Sequence, residues 1–257
     1  MSFGAIADDY DRLRPGPAAE AIDWLLPARC DVVVDLAAGT GLLTRALAGK
    51  AGHTIAIEPD DRMRSVLLAR STGVELLAGR GEAIPLPDAR ADAVLISSAW
   101  QWMDAHLAIR EIARVLRDGG RFGVIWTSRD PAADWLRADD WFREANQARL
   151  DRAPSTAAAG EEAISDREHS HVPLPDPAVF GNIETTTFRF KRPMRVADVV
   201  DMLTTYSRVI TASPAAREAG RARAAAALAQ QFPGASAIEV PMRSRCWRAD
   251  RVSRTGG

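Results

Sequence analysis

In the first half of the chain, short runs of apolar residues alternate with stretches whose apolar positions recur at helical spacing. "DVVVDL" over residues 31–36 is apolar on both faces, as a parallel strand buried inside a sheet must be. Gly39 and Gly41 interrupt it, and Leu42, Leu43, Ala46 and Leu47 then line one side of a helix. "HTIAIE" (53–58) predicts a second strand, and Pro59, Asp60 and Asp61 place a proline and acids in the first turn of the next helix. "VELLAG", near 74–78, reads as a weaker third strand and "ADAVLISS" (91–98) as a fourth. Asp104 then caps a helix carrying Ala105, Ile109, Ile112 and Leu116 on one side. Asp118, Gly119 and Gly120 end that helix, and "RFGVIW" supplies a fifth strand.

The texture changes from about 128 to 178, where aromatic helical pieces give way to a mixture of Ala, Glu and Pro. "IETTTFRF" (183–190) alternates like a strand, and a helix follows near 195–205. Ser213 and Pro214 open an alanine-rich helix with Ala215, Ala219, Ala222 and Ala226 on one face. "AIEVPMRSRCW" (237–247) is the last strand, and Pro241 inside it points to an edge or a bulge. Alternating strands and helices of this kind predict an α/β sheet wound from βαβ units.

Size and charge narrow the function classes. The chain has 257 residues, 47% hydrophobic and 26% charged, enough for one sizeable core with an appended cap. Thirty-three basic against thirty-four acidic residues leave a net charge of −1, with no electrostatic footprint for a nucleic-acid backbone. Cys30 and Cys246 lie far apart without metal-ligand spacing and read as small apolar residues in a reducing compartment. His169 and His171 form a pair that lacks a third ligand, so no metal is expected. The acidic start lacks the apolar core of a leader, and no apolar run approaches the roughly 18 residues of a spanning helix. These readings predict a cytoplasmic protein with no membrane or nucleic-acid partner.

The chemistry concentrates at the first glycine turn, Asp35-Leu36-Ala37-Ala38-Gly39-Thr40-Gly41. In a wound sheet, ligands sit beyond the carboxyl ends of the strands, where this turn and Glu58, at the end of the second strand, both fall. Glycines admit a ligand close to the backbone, and a carboxylate at Glu58 suits both ribose hydroxyls. That combination indicates an adenosine ribose, in a nicotinamide dinucleotide or in S-adenosylmethionine. The dinucleotide pattern GxGxxG falls here on Ala37, Gly39 and Leu42, so the glycine that allows close helix packing is absent. Asp35 would repel a pyrophosphate yet suit a ligand bearing an ammonium and a sulfonium, and S-adenosylmethionine is favoured; Asp35 as a simple turn cap stays open.

Taken in order, these segments resemble the class I S-adenosylmethionine-dependent methyltransferases of the type 11 group. "VVDLAAGTG" is similar to the family's glycine motif and "AIEPDDRM" to its acidic segment. "GEAIPLPDARADAVLISSAWQWMD" resembles the stretch through the fourth strand, and "EIARVLRDGGRFGVIW" the following helix and strand. "YDRLRPGP" and "EVPMRSRCWRADR" resemble a branch that includes trans-aconitate methyltransferases and actinobacterial relatives. The resemblance implies a Rossmann-like seven-stranded sheet with its last strand antiparallel, helices on both faces and a small helical cap. The expected boundaries are 1–29 for an N-terminal arm and helix, 30–127 for the cofactor-binding Rossmann-like core, 128–178 for a helical and loop insert forming part of the cap, and 179–257 for the C-terminal strands with a cap helix; enzymes of this class and size imply a monomer or homodimer.

The same resemblance places Gly39 and Gly41 at the methionine part of the cofactor and Glu58 at its ribose. It has Pro59 and Met63 wall the adenine, Gly81, Glu82 and Ala83 meet it, and Ser98 close the pocket. Four positions depart from the family: Ala37 replaces a glycine, Asp118 a proline, Gln101 a common histidine, which removes the obvious general base, and Arg80 stands next to the adenine where a smaller or acidic residue is common. Trp100, Trp102, Trp126, Trp135 and Trp141 cluster where a lid would cover the methyl group; for Trp102, Trp135 and Trp141, core packing is the competing reading. Tyr10, Arg14, Tyr206 and Arg208 are candidates to face the acceptor, either arginine suiting an acid, although surface ion pairing explains both arginines as well. The expected reaction is methyl transfer to a small molecule, with a carboxylic acid suggested and phenols, amines and thiols open. A nicotinamide-dependent reductase and a catalytically degenerate cofactor-binding protein are the alternatives.

Overall fold

The computed structural model describes residues 7–130, 132, 172–173, 177–205 and 213–253. Its strands are β1 (Val32–Leu36), β2 (His53–Ile57), β3 (Val74–Leu77), β4 (Ala91–Ser97), β5 (Leu116–Arg129), β6 (Phe180–Arg195) and β7 (Ala237–Arg251). They form one sheet in the order β3-β2-β1-β4-β5-β7-β6, a mixed Rossmann-like sheet whose last strand is antiparallel. The described helices are α1 (Ala7–Leu13), α2 (Ala19–Leu25), α3 (Leu42–Ala46), α4 (Asp61–Arg70), α5 (Ala105–Val115), α6 (Val196–Thr204) and α7 (Pro214–Gln231).

The central strands are parallel and in close register, with Asp35 opposite Ala56 on one side and Leu95 on the other. All five residues of β1 are buried, which is why this strand reads as an unbroken apolar run around one acid. The order reverses between β1 and β4, so the switch point lies at the carboxyl ends of those strands.

The chain divides into two compact units. One comprises the described residues within 16–128, 169–188 and 243–257. Its largest core joins Val34, Leu36, Ile57, Ile96 and Val124 to Ile109 and Ile112 of α5. Phe122 sits among Trp100, Phe180 and Trp247, with ring centroids 5.2–5.8 Å away in tilted or edge-on geometry. The other unit comprises the described residues within 1–15, 129–168 and 189–242. Its core packs Leu13 with Val199, Met202, Leu203, Ala224, Leu228, Val240 and Met242. At its surface Arg12 pairs with Asp198 at 2.7 Å.

Three local expectations change. Asp118, Gly119 and Gly120 do not simply end α5: β5 begins at Leu116, and the pairing with β4 shifts register between Ala91 and Ala93. Gly119 supplies the positive φ of 74° in that irregular stretch. β7 lies between β5 and β6, so Pro241 does not mark an edge strand. Its carbonyl accepts from the Asp130 N–H at 2.9 Å while its ring nitrogen has no proton to donate. In α7 the alanine face is the outer one. Ala215, Ala222 and Ala226 are exposed and the buried stripe is Gly220, Ala224 and Leu228, because Leu228 carries the apolar area worth burying.

Candidate functional site

Between β1 and α3 the backbone enters the left-handed region three times in five residues: φ is 58° at Ala37, 57° at Gly39 and 87° at Gly41. The two glycines have different reasons to be there. A methyl group on Gly41 would come within 2.8 Å of Leu67 Cγ, so this glycine lets the turn pack on α4. A methyl group on Gly39 would meet nothing within 4 Å. Gly39 therefore faces space that a ligand can use, and its glycine identity is required by φ alone. Ala37 adopts the same conformation with a Cβ, at a cost of about 1–2 kcal/mol.

Two carboxylates flank this turn. Glu58 is 7% exposed; its Oε2 accepts from the Gly39 N–H at 2.8 Å and its Oε1 from the Asp60 N–H at 2.9 Å. Each oxygen thus spends one lone pair on the backbone and keeps one for another donor. Burial raises the Glu58 pKa, and the two backbone N–H bonds oppose that rise. The acid also ties the second strand's end to the glycine turn, a structural duty that its sequence position does not reveal.

Asp35 is completely buried. Its Oδ2 accepts from the Thr44 hydroxyl at 2.6 Å, and its Oδ1 has no hydrogen-bond partner among the described residues. Burial pushes its pKa up to about 7; hydrogen bonds from Thr44 work against this, Glu58 adds to it and Arg45 opposes it. The Thr44 bond accounts for one Asp35 oxygen, and a buried acid whose other oxygen has no partner among the described residues can accept a further donor or a positive charge. The Thr40 hydroxyl, in the same turn, is buried and likewise has no partner among the described residues.

The segment after β3 is held by the helix that follows β4. Glu111 Oε2 accepts from the Ile84 N–H at 2.8 Å, and Arg114 grips both oxygens of Glu111 at 2.8 Å. Arg114 also donates to the carbonyls of Ile84 and Leu86 at 2.9 and 2.7 Å. The pairing holds Glu111 below the usual carboxylate range and raises the Arg114 pKa. This fork positions the loop bearing Gly81, Glu82 and Ala83. Gly81 is buried against Met103, whose Sδ would stand 2.7 Å from an added Cβ; Glu82 Oε1 accepts from the Asp104 N–H at 2.9 Å; Ala83 is exposed and bonds Arg80 O through its N–H at 3.2 Å. Nearby in sequence, Pro59 is exposed and Met63 is buried in α4.

At the end of β4, Ser98 has φ 55° and its N–H donates to Ile125 O of β5 at 2.8 Å. Gln101 Nε2 donates to Ser98 O at 3.0 Å, while its Oε1 is buried without a partner among the described residues. Trp100 is core, at 4% exposure. Trp102 is 63% exposed, which removes the core-packing reading for that residue. Trp126 is 8% exposed, and its indole N–H has no acceptor among the described residues.

Tyr10 and Arg14 belong to the other unit. The Arg14 guanidinium lies 5.2 Å from the Tyr10 ring centroid and donates to Thr205 O at 3.1 Å, so both are accounted for there. Tyr206, Arg208, Trp135, Trp141, His169 and His171 lie outside the described residues. Burial pushes the Cys30 and Cys246 thiols up to about 11 and 12, so both stay protonated at neutral pH. Sequence reasoning missed the roles of Thr44, Met103, Glu111 and Arg114; Met103 lies in the resembling segment "GEAIPLPDARADAVLISSAWQWMD" and Glu111 and Arg114 in "EIARVLRDGG", whereas Thr44 carried no signal.

Comparison with known proteins agrees with this geometry. A family model described as "Methyltransferase domain" matches residues 34–124. The chain is 47% identical over 137 residues to an uncharacterised methyltransferase of Mycobacterium tuberculosis, covering 53% of this chain and 56% of the relative. It is 33% identical over 140 residues to an uncharacterised methyltransferase-like protein of Schizosaccharomyces pombe, covering 52% and 55%. The match thus spans just over half the length of these curated relatives. A solved structure of a candidate type II methyltransferase from Anaeromyxobacter dehalogenans superposes with a TM-score of 0.68 at 22% identity, covering 93% of this chain and 97% of that one. Residues 34–124 thus match a methyltransferase-domain family model, and they lie within a seven-stranded Rossmann-like sheet whose last strand is antiparallel.

Proposed function

We propose that this protein transfers a methyl group from S-adenosylmethionine to a small-molecule acceptor. The observation that carries the reading is the pair Asp35 and Glu58 on either side of a glycine turn with open space at Gly39. Two buried acids disfavour a pyrophosphate and favour a cation and a ribose. Asp35 Oδ1, lacking a partner among the described residues, suits the cationic methionine end, and the remaining lone pairs of Glu58 suit the ribose hydroxyls. Gly39 and Gly41 would flank the methionine part, Pro59 and Met63 the adenine, with Gly81, Glu82, Ala83 and Ser98 completing the pocket.

The cofactor would supply an electrophilic methyl on sulfur, the C–S electrons returning to sulfur as the acceptor bonds to carbon. The protein's task is alignment: a nucleophile held roughly 3 Å from the methyl carbon gains most of its rate from proximity. Gln101, a carboxamide, cannot act as a base at neutral pH, which fits an acceptor that is already an anion. Together with the sequence's resemblance to the trans-aconitate branch, this leads us to a small carboxylic acid as acceptor.

Calorimetric titration with S-adenosylhomocysteine, NADH and NADPH in parallel tests the reading. Binding of the first alone is expected. Binding of a nicotinamide nucleotide instead would transfer the site to the reductase class.

A further inference from the structure

The two oxygens of Asp35 have different surroundings, and Thr44 makes the difference. Across the sheet, the residues opposite Asp35 are Ala56 of β2 and Leu95 of β4, both apolar and fully buried. The hydrogen bond comes instead from α3, where the Thr44 hydroxyl donates to Oδ2 at 2.6 Å. Between the two residues Ala37, Gly39 and Gly41 all take positive φ and turn the chain back, which is how a side chain nine positions later reaches the acid. Thr44 is itself only 4% exposed, so the pair is shielded from bulk water. Burial opposes ionisation of Asp35 most, and hydrogen bonds from Thr44 work against burial. Of the charged groups, Glu58 at the end of β2 adds to burial and Arg45 of α3 counters it.

The direction of the Thr44 bond has a chemical consequence. A hydroxyl has one proton to give, and Thr44 gives it to Oδ2. A proton taken up by Asp35 therefore belongs on Oδ1, which has no partner among the described residues. Oδ1 is also the oxygen that suits the cationic methionine end of the cofactor. We propose that Thr44 is a positioning residue for the cofactor, fixing Asp35 so that the cofactor's α-ammonium and a proton compete for Oδ1; the identity of the ligand rests on the methyltransferase reading.

The proton balance follows. Binding to the protonated acid breaks the Oδ1–H bond, the proton leaves to solvent, and the ammonium takes its place beside the carboxylate. Binding to the ionised acid releases nothing. Because burial pushes the Asp35 pKa up to about 7, both forms are present at neutral pH, and binding there releases about half a proton per site. The Thr44 bond is as short as those made to ionised acceptors, so it stabilises the carboxylate and lets the ligand enter against a weaker proton.

Two measurements test this. In the first, NMR follows the carboxyl carbon of Asp35 in protein labelled with 13C-carboxyl aspartate, the signal being identified by its loss in Asp35→Asn. Valine keeps the shape of threonine without the donor, and serine keeps the donor. In the free protein the titration midpoint should rise by about one pH unit in Thr44→Val, and return close to the wild-type value in Thr44→Ser. A midpoint unmoved in folded Thr44→Val would overturn the proposal, as would a lowered one, which would mean that the hydroxyl accepts from the acid.

The second measurement needs no Thr44 variant to decide. S-adenosylhomocysteine, which keeps the α-ammonium, is titrated calorimetrically in phosphate and in Tris at pH 7 and pH 8.5. These buffers differ in ionisation enthalpy, so the gap between the observed heats counts the protons released. The gap should correspond to about half a proton at pH 7, shrink at pH 8.5 and be lost in Asp35→Asn. Thr44→Val should weaken binding about fivefold at pH 7 and less at pH 8.5, a pH dependence that a purely structural loss would not produce. Equal heats in the two buffers at pH 7, or an undiminished gap in Asp35→Asn, would overturn the competition and leave the methyltransferase reading standing. Failure of S-adenosylhomocysteine to bind at either pH would sink that reading and the competition with it.

Discussion

The Thr44 hydroxyl donates to the Asp35 carboxylate at 2.6 Å, nine residues away across the glycine turn, where the acid is fully buried. A helix residue thus holds the acid of the strand that precedes it, fixing one oxygen while the other has no partner among the described residues.

Asp35 should make stability fall as pH rises. Its folded pKa of about 7 lies above the ordinary 3.8, so the folded state holds the proton more tightly than the unfolded one. The stabilisation is present at low pH and is lost between about pH 4 and 7, at about 1.4 kcal/mol per pH unit for this group alone. Urea unfolding of the wild type and Asp35→Asn at pH 5 and pH 8 measures it, with the variant gaining on the wild type at pH 8. Parallel pH dependences in the two proteins would refute the assignment. In Thr44→Val the acid should become harder still to ionise.

The glycine turn separates two substitutions that look alike. Gly41→Ala places a methyl 2.8 Å from Leu67 at φ 87° and should lower stability by more than 2 kcal/mol. Gly39→Ala meets no atom and should cost only the left-handed strain, about 1–2 kcal/mol, while reducing S-adenosylhomocysteine affinity in calorimetry. If Gly39→Ala binds like the wild type, the open side of Gly39 is not ligand space.

Ala37→Gly should stabilise. Relief of the strain at φ 58°, about 1–2 kcal/mol, exceeds the roughly 0.4–1 kcal/mol lost to the added freedom of the unfolded chain. A higher midpoint in chemical denaturation, with an unchanged m-value, is the expected result; a lower midpoint contradicts the backbone assignment.

Glu58→Gln keeps the size of the side chain but turns an amide NH2 toward one of the two backbone donors, at Gly39 or Asp60. Affinity for S-adenosylhomocysteine should fall about ten- to a hundredfold, equivalent to about 1.5–3 kcal/mol for a charged hydrogen bond. Wild-type affinity should also decline on acidification, because burial raises the Glu58 pKa and protonation removes the same acceptor.

Arg114→Met removes the fork that closes on Glu111 and the carbonyls of Ile84 and Leu86. Hydrogen exchange should accelerate across residues 80–88 with little change in β1. Uniform acceleration over both would mean that the fork supports the whole sheet rather than this loop.

Much of the architecture was legible in local pattern. β1, β2 and β4 emerge as buried apolar runs, and the caps at Asp104 and Ser213 stand where Asp and Ser-Pro precede helical periodicity. Gly39, Gly41 and Glu58 stood out because few residue types tolerate φ near 60° and because an acid at a strand end has a short menu of partners. Other features had no local signature. Ala37 and Ser98 show positive φ without being glycine, and a register shift turned a helix terminator into part of β5.

The sequence by itself determined where β1, β2 and β4 and the capped helices after Asp104 and Ser213 form, and that an acid-flanked glycine turn follows the first strand, because these depend on periodicity and on backbone freedom within a few residues. Tertiary structure alone decided that Thr44 clamps Asp35, that Met103 fills the place of a Gly81 side chain, that Arg114 grips the loop before β4, and that Trp126 and Arg245 line one cavity. Each of those relations joins residues brought together by strand order and packing. Long-range proximity of that kind is set by how the whole chain buries its apolar area, and no short window of sequence contains it.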